Sequence, residues 1–196
     1  MAWAGTSASP ATDAMVEFDR DAGVMRDVAP WRPGDVPPAP IDVWRSPVLA
    51  QWVDYNDHMT EAAYLTAFGW GSDVMFRYVG IDEAYRASGC SLYTVETHVV
   101  YEREAALGEP LRVTTRVLDL DAKRVHIWHE MFHASAGTRL SVCEQMLVHV
   151  DAREGRSSPI PGPVHAALSA LLERHRALPA PAEVGRTMRI VRKARD

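Results

Sequence analysis

The chain has 196 residues, a length that fits one domain with an extension at an end. Hydrophobic residues make up 47% and charged residues 24%, which excludes a collagen-like, coiled-coil or wholly disordered chain. The net charge of -5 hides an asymmetry: from Arg153 onward nine Lys and Arg face four Asp and Glu, so a basic tail follows an acidic body. An acidic body lacks the clustered basic face that phosphate neutralisation needs, so no nucleic-acid partner is expected. The tail reads as a solvated helix and terminus, or as a contact for an anionic cofactor. No apolar run approaches the ~20 residues that span a bilayer and no basic-then-apolar leader opens the sequence, so a soluble, cytoplasmic protein without a membrane partner is expected. Cys90 and Cys143 form no CxxC pair and read as small buried hydrophobes.

Residues 1–40 hold six of the thirteen prolines and many alanines, and they read as an extension with a possible short strand over 16–24. The domain is expected over 41–152, and a basic loop, short helix and tail over 153–196. A first strand is expected over 41–54, where Pro47 fits only an edge, a bulge or a strand start. Residues 60–79 then read as a helix, because Leu65, Phe68, Gly69, Ser72, Met75, Phe76 and Val79 recur at helical spacing. Gly69 in its stripe predicts a close approach of helix to sheet. Four more strands are expected over 91–101, 110–120, 123–134 and 139–150, the last three as an antiparallel meander, with a helix over 164–175. One strand, one long helix and four strands indicate an α+β fold, a helix covering one face of an antiparallel sheet. The uncovered edge predicts a dimer.

The densest polar cluster is Asp54, Tyr55, Asn56, Asp57 and His58, between the first strand and the long helix. Free N–H groups and the positive dipole end stabilise anions at such a helix start. A carboxylate there can attack a polarised carbonyl, or activate water to attack it, while the amides of Thr60, Glu61 and Ala62 hold the developing charge. The same residue types also suit an Asx-rich turn and a helix cap.

The stretches VDYNDHMTEAAYLTAFGWGSDVMFRYVGI, YTVETHVVYEREAALGEPLRVTT and EQMLVHVD resemble the hot-dog-fold acyl-CoA thioesterases of the 4-hydroxybenzoyl-CoA thioesterase type. Within that group they are most similar to the betainyl-CoA thioesterases of carnitine degradation. The resemblance covers roughly residues 42–152 and implies a sheet wrapped around one long central helix, a homodimer or dimer of dimers, and an acyl-CoA substrate with no cofactor. It places Asp54 as nucleophile or general base, Asn56 and His58 as positioning groups, and Tyr64 on the helix beside the substrate. The family's loop commonly reads D-x-x-G-H, and this chain carries Asp57 where Gly is usual. Glu96 and His98, on one face of a strand, are further candidates for substrate contact and equally suit a solvent face. Tyr55, Trp70, Phe76, Tyr93, Tyr101 and Trp128 supply aromatic faces for a trimethylammonium group, with Tyr93 and Tyr101 expected on the strand face opposite Glu96 and His98.

Four other readings compete with this one. His129-Glu130-Met131-Phe132-His133 matches the zinc-protease pattern H-E-x-x-H, but the run between turn signals reads as a strand, where the two histidines would stand ~13 Å apart, too far to share a metal. No metal is expected. A hot-dog hydratase would carry D-x-N-P-x-H, and here His58 follows Asp54 by four positions without the proline. Gly69-Trp70-Gly71 lacks a third glycine and lies in a helical pattern, so it is no dinucleotide fingerprint. A non-catalytic acyl-CoA-binding protein shares the same motifs.

Overall fold

The structure, a computed structural model, describes residues 28–190, so the strand expected over 16–24 lies outside it. Strand β1 (Ile41–Pro47) ends where Pro47 faces Pro110 across the ladder, because neither ring has an N–H to donate. The first strand is therefore shorter than the sequence suggests. A single 3-10 turn, Ala50–Trp52, buries Trp52 and carries the chain to the loop before helix α1 (Glu61–Tyr78). A short helix α2 (Glu83–Ala87), missed in the sequence, is capped by Asp82, whose carboxylate accepts the Tyr85 N–H at 2.8 Å. Then come β2 (Cys90–Tyr101), β3 (Pro110–Leu120), β4 (Arg124–His133), β5 (Arg139–Asp151), the two-residue β6 (Arg156–Ser157) and α3 (Gly162–His175).

The sheet is antiparallel, in the order β1-β3-β4-β5-β2 with β6 on β5, and α1 lies across one face. The expected α+β architecture of a sheet around one long helix is present, and the meander is β3-β4-β5. The buried line of α1 is Ala63, Tyr64, Ala67, Phe68, Gly71, Ser72, Val74 and Met75, whereas Leu65 and Gly69 face outward. The close approach expected at Gly69 occurs at Gly71. A Cβ there would sit 2.8 Å from Val113 Cγ1, while a Cβ at Gly69 meets nothing within 4 Å. Helix α3 lies against β3 and contributes Val164, Ala167, Leu168, Leu171 and Leu172 to the same core as α1.

Beneath Gly71 the contact is polar. His129 of β4 is fully buried, with Nε2 3.0 Å from Ser72 Oγ and 3.3 Å from Gln145 Oε1, and Nδ1 2.9 Å from Thr115 Oγ1. Phe68 stacks on its ring at 5.6 Å. The H-E-x-x-H run thus lies on a strand, and among the described residues no group of His, Cys, Asp and Glu is placed to hold a metal ion. A second buried imidazole, His175, accepts the Val117 N–H at 2.9 Å and donates to the Pro38 carbonyl at 3.0 Å, tying α3 to β3 and to the segment before β1.

The register of β2 corrects one expectation. A bulge between Thr94 and Glu96 inserts Val95 and inverts the alternation. Thr94 pairs with Leu147 on the helix side, and beyond the bulge Glu96 pairs with Met146 on the other side. Tyr93 consequently shares the outer face with Glu96 and His98, and only Tyr101 turns toward α1, where its hydroxyl donates to the Glu61 carbonyl at 3.2 Å.

Burial pushes both His129 and His175 down from the ordinary histidine value to about 4. Their folded pKa values lie below the unfolded value of ~6.5, so the unfolded chain takes up protons first as pH falls. Stability is full above pH ~6.5 and is lost between there and pH ~4, by at most ~1.4 kcal/mol per pH unit for each histidine. Urea denaturation across that window will show the slope, and His175→Gln will flatten it. For the helix contact, Gly71→Ala should destabilise by ~1–2 kcal/mol through overpacking, whereas Gly69→Ala should stabilise by up to ~1 kcal/mol. The two midpoints in urea should move in opposite directions.

Candidate active site

The 54–60 loop is a tight hairpin. Val53 bridges Met59, the Asp54 N–H donates to the His58 carbonyl at 3.0 Å, and the Asp57 N–H donates to the Asp54 carbonyl at 3.1 Å. Its turn requires Asp57 in the left-handed region at φ 59°. Asp is among the few residues with a side chain that tolerate this conformation, which reconciles Asp57 with the glycine usual in the family's loop.

The geometry organises one carboxylate. Asp54 Oδ1 accepts the Asn56 N–H at 2.8 Å and the His58 N–H at 3.4 Å, and Oδ2 accepts Asn56 Nδ2 at 3.4 Å. These donors, the Asn56 amide first, hold the carboxyl below its ordinary value and keep it ionised at neutral pH. Asn56 therefore orients Asp54. A second loop, residues 102–109, buttresses the first: the Met59 N–H donates to the Ala105 carbonyl at 2.8 Å, the Leu107 N–H to the Asp57 carbonyl at 3.0 Å, and His58 Nδ1 lies 3.5 Å from Glu104 Oε2. The sequence did not single out Glu104 as a partner of His58, because the link is long-range.

Helix α1 begins directly after the 54–60 loop. The Thr60 N–H is committed to the Trp52 carbonyl at 2.8 Å, which removes Thr60 from the expected oxyanion hole. The amides of Glu61 and Ala62 have no acceptor among the described residues, and no side chain caps the helix. Both residues are exposed in the first turn, where an oxyanion is best stabilised.

Tyr64 is buried and donates to the Arg103 carbonyl at 3.0 Å, so it braces the second loop. Burial pushes its phenol up to about 12, and it stays a donor. Tyr101 packs edge-on against Tyr64 at 5.3 Å, beside the helix start. Tyr55 stands 94% exposed at the loop's tip. Glu96 and His98 are not brought to Asp54 within one chain. They lie on the outer sheet face with His126 and Glu144, lining a cavity of about 440 Å³ under residues 185–188.

An antiparallel sheet curled around one long helix, with an acidic loop at the helix start, is a hot-dog architecture. Residues 48–168 match the model of the thioesterase-like superfamily, and the chain belongs to that superfamily. It is 42% identical over 149 residues to a betainyl-CoA thioesterase of Pseudomonas aeruginosa, covering 76% of this chain and 94% of that protein. It is 44% identical over 147 residues to an L-carnitine dehydrogenase/betainyl-CoA thioesterase of Rhizobium meliloti, covering 75% of this chain but only 30% of that longer protein. Among solved structures, a candidate thioesterase from Pseudomonas putida KT2440 is 34% identical, with a TM-score of 0.69 over 80% of this chain and 99% of that one. A Staphylococcus aureus protein solved in complex with CoA is 25% identical, with a TM-score of 0.67 over 76% of this chain and 94% of that one. Among the described residues no helix is long and apolar enough to cross a membrane.

The left-handed Asp57 gives a test of the loop. Asp57→Gly should fold as well as the parent, whereas Asp57→Val, β-branched at a positive φ, should lose ~1–2 kcal/mol in thermal or urea unfolding.

Proposed function

We propose that the chain is an acyl-CoA thioesterase with betainyl-CoA as its preferred substrate. The observation that carries this reading is the Asp54 carboxylate, held ionised in the loop that leads into α1, together with the first-turn amides of Glu61 and Ala62, which have no acceptor among the described residues. A thioester carbonyl seated between them presents its carbon to the carboxylate side and its oxygen to the helix amides. Asp54 takes a proton from water as that water's oxygen adds to the carbonyl carbon, and the resulting oxyanion accepts from the two amides. Collapse breaks the C–S bond, and the CoA thiolate leaves and takes up the proton. Direct attack by Asp54 would give a mixed anhydride that water then opens, and both routes need the carboxylate ionised.

The acyl preference is supported by charge. Asp54 and Asp57 share the loop, Glu104 lies against His58 and Glu61 opens α1, while Tyr55 at the loop's tip and Tyr101 at the helix start offer aromatic faces. A trimethylammonium cannot donate a hydrogen bond and is recognised by carboxylates and ring faces. The P. aeruginosa relative's name indicates the same acyl group, and hydrolysis here would release glycine betaine and CoA in carnitine degradation. The edge strand β2 exposes Tyr93, Val95 and Tyr101, and among the described residues one side of its ladder has no partner strand; a second copy of the chain joined there would form the dimer.

Asp54→Asn should keep the fold and lose at least ~100-fold in turnover in a free-thiol assay. Near-normal turnover in that variant would move the chemistry to another acid, and inertness of the parent toward every acyl-CoA would favour a binding protein. Betainyl-CoA should be preferred over the uncharged 3,3-dimethylbutyryl thioester by roughly five-fold to a thousand-fold in kcat/KM, as two cation-π contacts give before desolvation is subtracted. Equal or better turnover of the uncharged thioester would remove the betainyl assignment and leave the thioesterase intact.

A further inference from the structure

The segment after α3 crosses the outer face of the sheet in one direction. Arg116 of β3 donates to the Pro179 carbonyl at 2.9 Å, Arg139 at the start of β5 donates to Glu183 at 2.6 Å, and the Gly185 N–H donates to Glu144 of β5 at 2.9 Å. Thr187 and Met188 then line the cavity of about 440 Å³ together with Glu96 and His98 of β2. In a sheet ordered β3-β4-β5-β2, these contacts carry the segment to the β2 edge. The hold at Glu183 and Gly185 is firm, because both bonds involve an ionised carboxylate. Beyond it the apolar side chains lose their cover: Met188 is 89% exposed and Ile190 82%.

Charge distinguishes this stretch from the strand it reaches. Residues 186–196 carry five Lys and Arg against one Asp, whereas β2 has no Lys or Arg, one acid, Glu96, and an exposed Tyr93 on the same outer face. We propose that residues 186–196 form an arm that passes over the β2 edge and lies on the outer sheet face of a second copy of the chain. Met188 and Ile190 pack there against the partner's Tyr93, and the basic residues face the partner's Glu96. The proposal rests on the dimer joined at β2, and two-fold symmetry makes each chain both give and receive an arm. The arm adds to that dimer what an edge pairing alone lacks, an apolar contact reaching past the seam. An anionic membrane surface is a poorer fit, because two apolar side chains are fewer than an interfacial anchor buries.

Sedimentation equilibrium of the full chain, and of a chain stopped after Gly185, tests the arm. The full chain should be a dimer, and the shortened chain should dimerise at least about ten-fold more weakly, the scale of losing one buried apolar side chain. Met188→Asp combined with Ile190→Asp in the full chain should weaken the dimer as much and keep the parent's far-UV circular dichroism, since both side chains are exposed within one chain. With p-benzoylphenylalanine in place of Met188, irradiation should join two chains, with the adduct mapping to β2. A monomeric full chain would remove the dimer reading and the arm with it. A dimer that crosslinks only within one chain, or that is as tight without the arm, would overturn the arm and leave the dimer reading intact. Pelleting of the full but not the shortened chain with phosphatidylserine vesicles, at unchanged dimer affinity, would assign the arm to a membrane and overturn the proposal. Should the shortened chain not fold, the double substitution decides.

Discussion

Where helix α1 begins depends on how closely its middle lies on the sheet. At Gly71 the missing side chain lets the helix backbone settle over Val113, Thr115 and His129, and Phe68 and Ser72 close on the same imidazole from either side. The far end of the rod then follows from rigid helix geometry: Glu61 lies ten residues upstream, ~15 Å along the axis. The amides proposed to receive an oxyanion are therefore placed by packing near the centre of the protein. Their freedom from acceptors also follows from that placement, since the loop before them turns back on itself and Trp52 takes only the Thr60 amide.

The site is also tied to the edge of the sheet. The 102–109 loop directly follows β2, and it holds the acidic loop through Met59, Asp57 and Tyr64. Tyr101, the last residue of β2, bonds to the first turn of α1. The exposed edge and the candidate catalytic carboxylate thus belong to one hydrogen-bonded unit. A strand added to β2 would bear on the same backbone that shapes the Asp54 turn.

How much of this was legible in the sequence follows from the range of each interaction. Helix α1 and strands β2 to β5 show in their local periodicity, and the DYNDH cluster shows as a polar loop at a helix start. The rotation of α1 did not, because Leu65 and Phe68 are equally apolar and only the sheet decides which is buried. Gly69 and Gly71 are likewise indistinguishable until Val113 is brought beneath one of them. The bulge at Val95 has no composition signal, and one extra residue moved Tyr93 to the wrong face. Thr60 lost its expected role to a carbonyl eight positions upstream.

The polar seam under α1 has a consequence beyond stability. Apolar contacts tolerate sliding, because one methyl replaces another at little cost, whereas hydrogen bonds are directional. Ser72 meets His129 and Gln145 at one axial position of the helix, and a shift by a single turn would leave its buried hydroxyl without these partners. The seam therefore acts as a detent that indexes the rod. A core redesign that replaced it with well-packed hydrocarbon would leave a sturdy protein whose helix no longer stops at one mark, and whose first-turn amides no longer share a fixed address with Asp54.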